Sequence, residues 1–201
     1  MGEPRNRYST VSLLLHWGIA LAVLIQVLLI TAHENTEGPI SGQFVMLHKS
    51  LGLTVLALVL VRIAWRLYAG APPPVEGTPR WQARLASLTH GAIYVLILAM
   101  PLSGWLYDSA SGLRPFRWFG LAEVPKLSPP HEALADAMHE THELLFWVLI
   151  ALVIGHAGAA LYHHFVRRDA TLARMLPRRW LAGSVVPTAA PSPDLPPEDP
   201  R

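Results

Sequence analysis

Four apolar stretches divide the chain: Val11–Ala32, Leu51–Leu67, Leu88–Leu106 and Leu144–Phe165. Each is close to the roughly 17–25 residues that a helix needs to cross a hydrocarbon layer. Pro72, Pro73 and Pro74 interrupt the chain between the second and third stretches. Pro101 falls inside the third and predicts a kink or local break there. The connection from about Asp108 to Thr141 is the longest, and a loop of that length is often functional. The pattern predicts an all-α protein, an integral membrane four-helix bundle over residues 11–180. A short N-terminal segment, 1–10, precedes it. A Pro-, Ala- and Ser-rich tail, 184–201, reads as disordered. The first stretch is too long for the apolar region of a signal peptide and contains His16 and Gln26, so it reads as a retained helix. No internal repeat is visible.

Composition narrows the class. With 52% hydrophobic and 15% charged residues, this is not an ordinary soluble domain. There is no cysteine, which excludes disulfides, thiolate-held iron–sulfur clusters and haem attached through a C-x-x-C-H motif. Twelve of the sixteen Lys and Arg residues fall at the N-terminus, in the second connection and its flanks, or in the C-terminal segment. Only Lys49, Arg114, Arg117 and Lys126 fall on the other side, which also carries Glu34, Glu37, Asp108, Glu123, Glu132, Asp136, Glu140 and Glu143. The positive-inside rule then places both termini in the cytoplasm and the long connection outside. Membrane orientation accounts for the basic excess, so no nucleic-acid partner is expected. Trp105, Tyr107, Phe116, Trp118 and Phe119 fit an aromatic belt at the outer interface.

The ten histidines carry the candidate chemistry, because an ionisable ring in a membrane segment is costly and usually functional. His16 and His48 lie near the starts of the first two stretches, and His142 and His156 belong to the fourth helix. The last two are fourteen residues apart, about 21 Å along a helix and about 40° apart around its axis. One helix can therefore offer a ligand near each membrane face, with a partner for each supplied by other helices. His156 is the strongest single signal, set among Gly155, Ala157, Gly158, Ala159 and Ala160, which let a large group approach the backbone. The plain alternative for it is a hydrogen-bonded packing histidine. Gly52 lies one turn after His48 and leaves room for a flat macrocycle or for helix packing. His90 sits at the depth of His156 and is open to three roles: ligand, support for a ligand, or substrate contact. His163 and His164 end the fourth stretch and read either as an interfacial pair or as a site. His33, His131 and His139 read as solvated. His139 and His142 do not form the H-E-x-x-H zinc pattern.

Imidazole suits iron, copper, zinc and nickel. Haem explains why two ligands suffice at each level, since the porphyrin supplies the other four. Two histidines per haem leave no open position, which favours electron transfer over oxygen activation. Here the chain resembles the bacterial cytochromes b561 over roughly Tyr8 to Arg179. The resemblance rests on Leu15-His16-Trp17, on Met46-Leu47-His48 with Gly52, and on Arg62 and Arg66. It continues through Thr89-His90-Gly91-Ala92-Ile93-Tyr94, Pro101, Gly104, His142-Glu143, His156-Ala157, Tyr162-His163-His164 and residues 169–177.

The resemblance implies two haem b groups, with His16 pairing with His156 on the cytoplasmic side and His48 with His142 on the periplasmic side. It implies a bacterial inner-membrane oxidoreductase of the respiratory type that takes electrons from superoxide and reduces ubiquinone. The quinone region is then expected near His163 and the basic start of helix three, at Arg80 and Arg84. His163 follows His156 by seven residues, about two turns and about 10 Å further along the same face. An imidazole there can hydrogen-bond a quinone carbonyl and deliver a proton, while Arg84 or Arg167 offsets the negative charge on the ring. Lys49, Arg114, Arg117 and Lys126 are expected to draw an anion toward the outer haem. Two rivals stand beside this reading. One is a cytochrome subunit serving a dehydrogenase or hydrogenase; the other is a histidine-based metal or proton transporter. The lack of an acidic residue within the membrane argues against a proton relay.

Overall fold

The computed structural model describes residues 7–177. Four long helices dominate: α1 Thr10–Glu34, α2 Pro39–Ala69, α3 Arg80–Ala110 and α4 Glu132–Tyr162. All four are long and apolar enough to cross a membrane. They alternate in direction, so one end of the bundle carries residues 7–10 and 163–177, and the other carries a small hairpin. We call these the terminus end and the hairpin end. The expected tail over 184–201 lies outside the described residues, as do residues 178–180 of the expected membrane domain and most of segment 1–10.

Local chemistry sets the helix boundaries. The Ser9 hydroxyl accepts from the Ser12 amide at 3.2 Å and caps α1. Gly38, at φ 76°, turns the chain into Pro39, a residue suited to the first turn of a helix. Gly70, at φ 72°, closes α2 with its amide on the Arg66 carbonyl. The His131 ring caps α4 by accepting from the Leu134 amide, and the His33 ring bonds the Ser41 hydroxyl, so neither is merely solvated. His139 packs on Tyr107 with ring centroids 5.0 Å apart.

Three helices run well beyond their apolar stretches. Helix α2 starts twelve residues before Leu51, and α4 starts twelve before Leu144. His48 and His142 therefore stand inside helices rather than at their ends. Helix α3 passes through Pro101 without interruption, so no break occurs there. The long connection shortens to residues 111–131, where β1 Arg117–Trp118 pairs antiparallel with β2 Ala122–Glu123. This hairpin lies on α2. Trp118 donates its ring N–H to Thr54 at 3.1 Å, and the Phe119 amide donates to the buried Ser50 hydroxyl at 3.0 Å. Phe116 is buried beneath the hairpin, so it leaves the expected aromatic belt.

Helix α1 packs along α2 and α3 along α4. A small core of Ile19, Ala22, Val55, Val59 and Ile97 joins the first three helices. Most other large apolar side chains point outward, among them Leu14, Leu88 and Ile154. Such faces are the expected partners of lipid tails.

Candidate electron-transfer site

The bundle brings four of the candidate histidines together in two pairs. His16 of α1 faces His156 of α4 with ring centroids 6.2 Å apart. His48 of α2 faces His142 of α4 with centroids 6.3 Å apart. Two imidazoles bonded to one metal at about 2.0 Å each would have centroids about 6 Å apart. Both pairs thus match the spacing of axial ligands on opposite sides of one iron.

The hairpin-end pair is also held as ligands need to be. His142 Nδ1 lies 3.0 Å from the Met100 carbonyl and 3.0 Å from the Ser103 hydroxyl. His48 Nδ1 approaches the Gln26 carbonyl at 3.4 Å. Anchoring Nδ1 this way restrains the ring and leaves Nε2 as the nitrogen free to bind a metal. A Cβ at Gly104 would stand 3.0 Å from the His142 ring, so any larger residue would press on that ring. A Cβ at Gly52 would meet the Gln26 amide at 3.1 Å. The buried Gln26 Oε1 has no hydrogen-bond partner among the described residues. Small residues, paired rings and an apolar surround fit a haem. Ser103 and Met100, and the contact of Gln26 with His48, escaped the sequence reading, because a polar group on an apolar helix gives no sign of which neighbour it will meet.

His90 stands apart from this pattern. Its ring centroid is 5.1 Å from that of His156, edge to face, which is too close for a metal between them. It touches a ligand candidate directly. His90→Ala is therefore expected to retain both haems while shifting the potential of the terminus-end centre. Haem content with a redox titration checks this. Loss of that haem in His90→Ala, with retention in His16→Ala, would reverse the two assignments.

At the terminus end, α4 does not simply continue. Residues His163–Arg167 form a π-helical turn, and Arg168 closes it in the left-handed region at φ 53°. The wider turn displaces the residues after His163, whose own amide still bonds the Ala159 carbonyl as in a regular helix. Its Nδ1 is 2.5 Å from Asp169 Oδ2. Burial alone would push the Asp169 carboxyl up, but hydrogen bonds from His163 and Thr171 hold it below its usual range. Arg84 and Arg167 are exposed at the same end. Neither is recorded in contact with His163. Asp169 was the missed partner here; the signal was a lone acid directly after Arg167 and Arg168. The segment after it folds back over the bundle. Trp17 donates to the Met175 carbonyl at 2.7 Å, and Arg7 donates to the Ala173 and Leu176 carbonyls at 2.8 and 2.7 Å.

The charges at the hairpin end are largely paired. Asp108, at 3% exposure, is buried within α3, so an acid does lie inside a long helix, at its hairpin end. Lys49 and Lys126 both pair with it, at 2.7 and 3.2 Å. Arg117 donates to the Leu121 carbonyl within the hairpin. Three of the four cations expected to draw an anion are thus engaged: Lys49 joins α2 to α3, Lys126 ties the connection to α3, and Arg117 bonds within the hairpin.

Comparison with known proteins agrees with this architecture. The family model described as prokaryotic cytochrome b561 matches residues 7–178. Cytochrome b561 homolog 1 of Escherichia coli is 34% identical over 87% of this chain and 99% of its own length. Cytochrome b561 homolog 2 of the same organism is 35% identical over 65% of this chain and 69% of its own. A probable superoxide oxidase CybB of Yersinia pestis is 32% identical over 87% of this chain and 98% of its own length. With four apolar helices, two facing histidine pairs and relatives matched nearly end to end, the chain belongs to the prokaryotic cytochrome b561 family of membrane electron-transfer proteins.

Proposed function

We propose that the chain carries electrons across the bacterial inner membrane from superoxide on the periplasmic side to ubiquinone near the cytoplasmic face. The observation that carries this reading is the repetition of one spacing, 6.2 and 6.3 Å, in two histidine pairs at opposite levels of the bundle. Proteins of this family bind haem b, which supplies a one-electron couple when held between two imidazoles. His48 and His142 would hold one haem at the hairpin end, and His16 and His156 the other at the terminus end. The distribution of basic residues supports placing the terminus end in the cytoplasm.

The choice of superoxide is supported by the relative named as a probable superoxide oxidase, which this chain matches over 98% of that protein. Each superoxide anion loses one electron and leaves as dioxygen; a quinone takes up two electrons and two protons. The hairpin is pinned to α2 through Ser50 and Thr54, close in sequence to His48. At the other end, Asp169 fixes Nδ1 of His163 and leaves Nε2 to bond a quinone carbonyl.

The test uses the purified full chain alone, an enzymatic superoxide source and a soluble quinone. Quinone reduction abolished by superoxide dismutase is the expected result. A haem-loaded chain that reduces quinone only with an added dehydrogenase or hydrogenase would favour the subunit reading. A purified chain with no haem absorption would leave only the transporter reading.

A further inference from the structure

Helix α2 carries two arginines, Arg62 and Arg66, in its last two turns, within the apolar stretch Leu51–Leu67. Arg62 follows His48 by fourteen residues, the same interval that separates His142 from His156 on α4, which runs in the same direction. Arg62 therefore lies at the depth of the His16–His156 pair, and Arg66 lies one turn nearer the terminus end. Both are half-buried. Arg62 Nε donates to the Tyr94 hydroxyl at 3.0 Å and Nη1 to the Ser12 carbonyl at 2.9 Å. These contacts tie α2 to α3 and α1, but both acceptors are neutral. Among the described residues no carboxylate pairs with Arg62 or Arg66. Arg66 donates no side-chain hydrogen bond to any of them. The two guanidinium groups share a crevice with Tyr8, Ser12, Gly70 and Tyr94. The crevice adjoins a cleft of about 330 Å³ that includes Arg7 and Ser9. No acidic side chain lines either.

A guanidinium cannot shed its proton, so a half-buried one with only neutral acceptors is stabilised by an anion beside it. We infer that Arg62 and Arg66 form the binding site for the carboxylate side chains of the terminus-end haem. The inference rests on the reading of His16 and His156 as a haem site. Tyr94 and Ser12 hold the Arg62 fork in place, and Arg66 supplies free donors one turn away. Haem b carries two carboxylates on one edge of its ring, which suits two arginines stacked one turn apart on a helix. A fork can bind each carboxylate through two parallel bonds. Fixed positive charge next to the ring also favours the reduced iron, which carries one charge fewer.

The test is a redox titration of the purified holoprotein as Arg62→Gln, Arg66→Gln and Arg62→Lys. Each glutamine variant should make the terminus-end haem harder to reduce by about three- to tenfold, tenfold being about 59 mV for one electron. The hairpin-end haem serves as an internal control and should not move. Arg62→Lys should keep most of the native potential. If Arg62→Gln loses the terminus-end haem while Arg62→Lys keeps it, the site is supported as well. Arg66→Gln breaks no interhelical bond among the described residues, so it remains informative if Arg62→Gln misfolds. An unchanged potential in Arg66→Gln with both haems bound would overturn the inference. So would an equal shift of both haems. If the unchanged potential comes with a stability that depends on added anionic phospholipid, the cations belong to a lipid headgroup instead. A wild-type chain holding a single haem would refute the two-haem reading first, before any variant is made.

Discussion

His156→Ala should halve the haem content and leave a normal low-spin centre at the hairpin end; His48→Ala should do the converse. The two histidine pairs share no residue. His16 and His156 come from α1 and α4, and His48 and His142 from α2 and α4. Within α4 the two ligand candidates are about 21 Å apart, so removal of one leaves the other and its helix in place. With one imidazole removed, only one side chain of the pair would be left to hold the iron. His156 is flanked in sequence by Gly155, Ala157 and Gly158, which offer no substitute ligand; His90, with its ring centroid 5.1 Å from that of His156, can offer one, so the double variant with His90→Ala is the stricter test. Haem per polypeptide and the reduced spectrum of each variant check the result. Two intact low-spin haems in either variant would end the assignment of that pair. Loss of both haems in each variant would mean that the centres are not independent.

His163→Ala should leave haem loading and reduction from the hairpin end unchanged while slowing reoxidation by quinone about ten- to a hundredfold. That is the size expected for losing one hydrogen bond to a group that becomes charged, about 1.5–3 kcal/mol. The reason is the dyad: Asp169 accepts from one ring nitrogen of His163, which directs the other nitrogen outward and settles its tautomer. Asp169→Asn keeps a hydrogen-bonding group but removes the charge, so its effect should be smaller and in the same direction. Haem reduction and haem reoxidation are followed separately, with a soluble quinone for the second. Unchanged reoxidation in His163→Ala, with haems intact, would place the quinone elsewhere at that end. Gln82, a half-buried residue whose buried Oε1 has no partner among the described residues, is then the next residue to examine.

Much of the architecture was legible because lipid imposes a simple rule. Every spanning segment must satisfy its own backbone and face hydrocarbon, so four apolar stretches read directly as four helices. The fourteen-residue interval between His142 and His156 was legible for the same reason, since helix rise turns residue number into depth. Depth also suggested which helices supply the partners. It left His90 competing with His16, because sequence spacing gives level but not the distance between rings.

The apolar stretches by themselves determined the number of helices, their order and the two levels at which histidines lie. They did not determine where the helices end. An apolar run marks the edge of the lipid, whereas a helix continues into water until a breaker such as Gly70 or a cap such as His131 stops it. Only the tertiary structure decided the contacts made by polar side chains. It set the ring separations of 6.2 and 5.1 Å that distinguish His16 from His90 as partners of His156. It joined Lys49 and Lys126 to Asp108, residues far apart in sequence, and so withdrew two cations from the anion path. It closed His163 onto Asp169 through a π-helical turn that a regular period does not anticipate. Hydrophobic burial is non-directional and follows local composition, so it can be read along a chain. Hydrogen bonds and ion pairs depend on distance and angle between residues that only folding brings together.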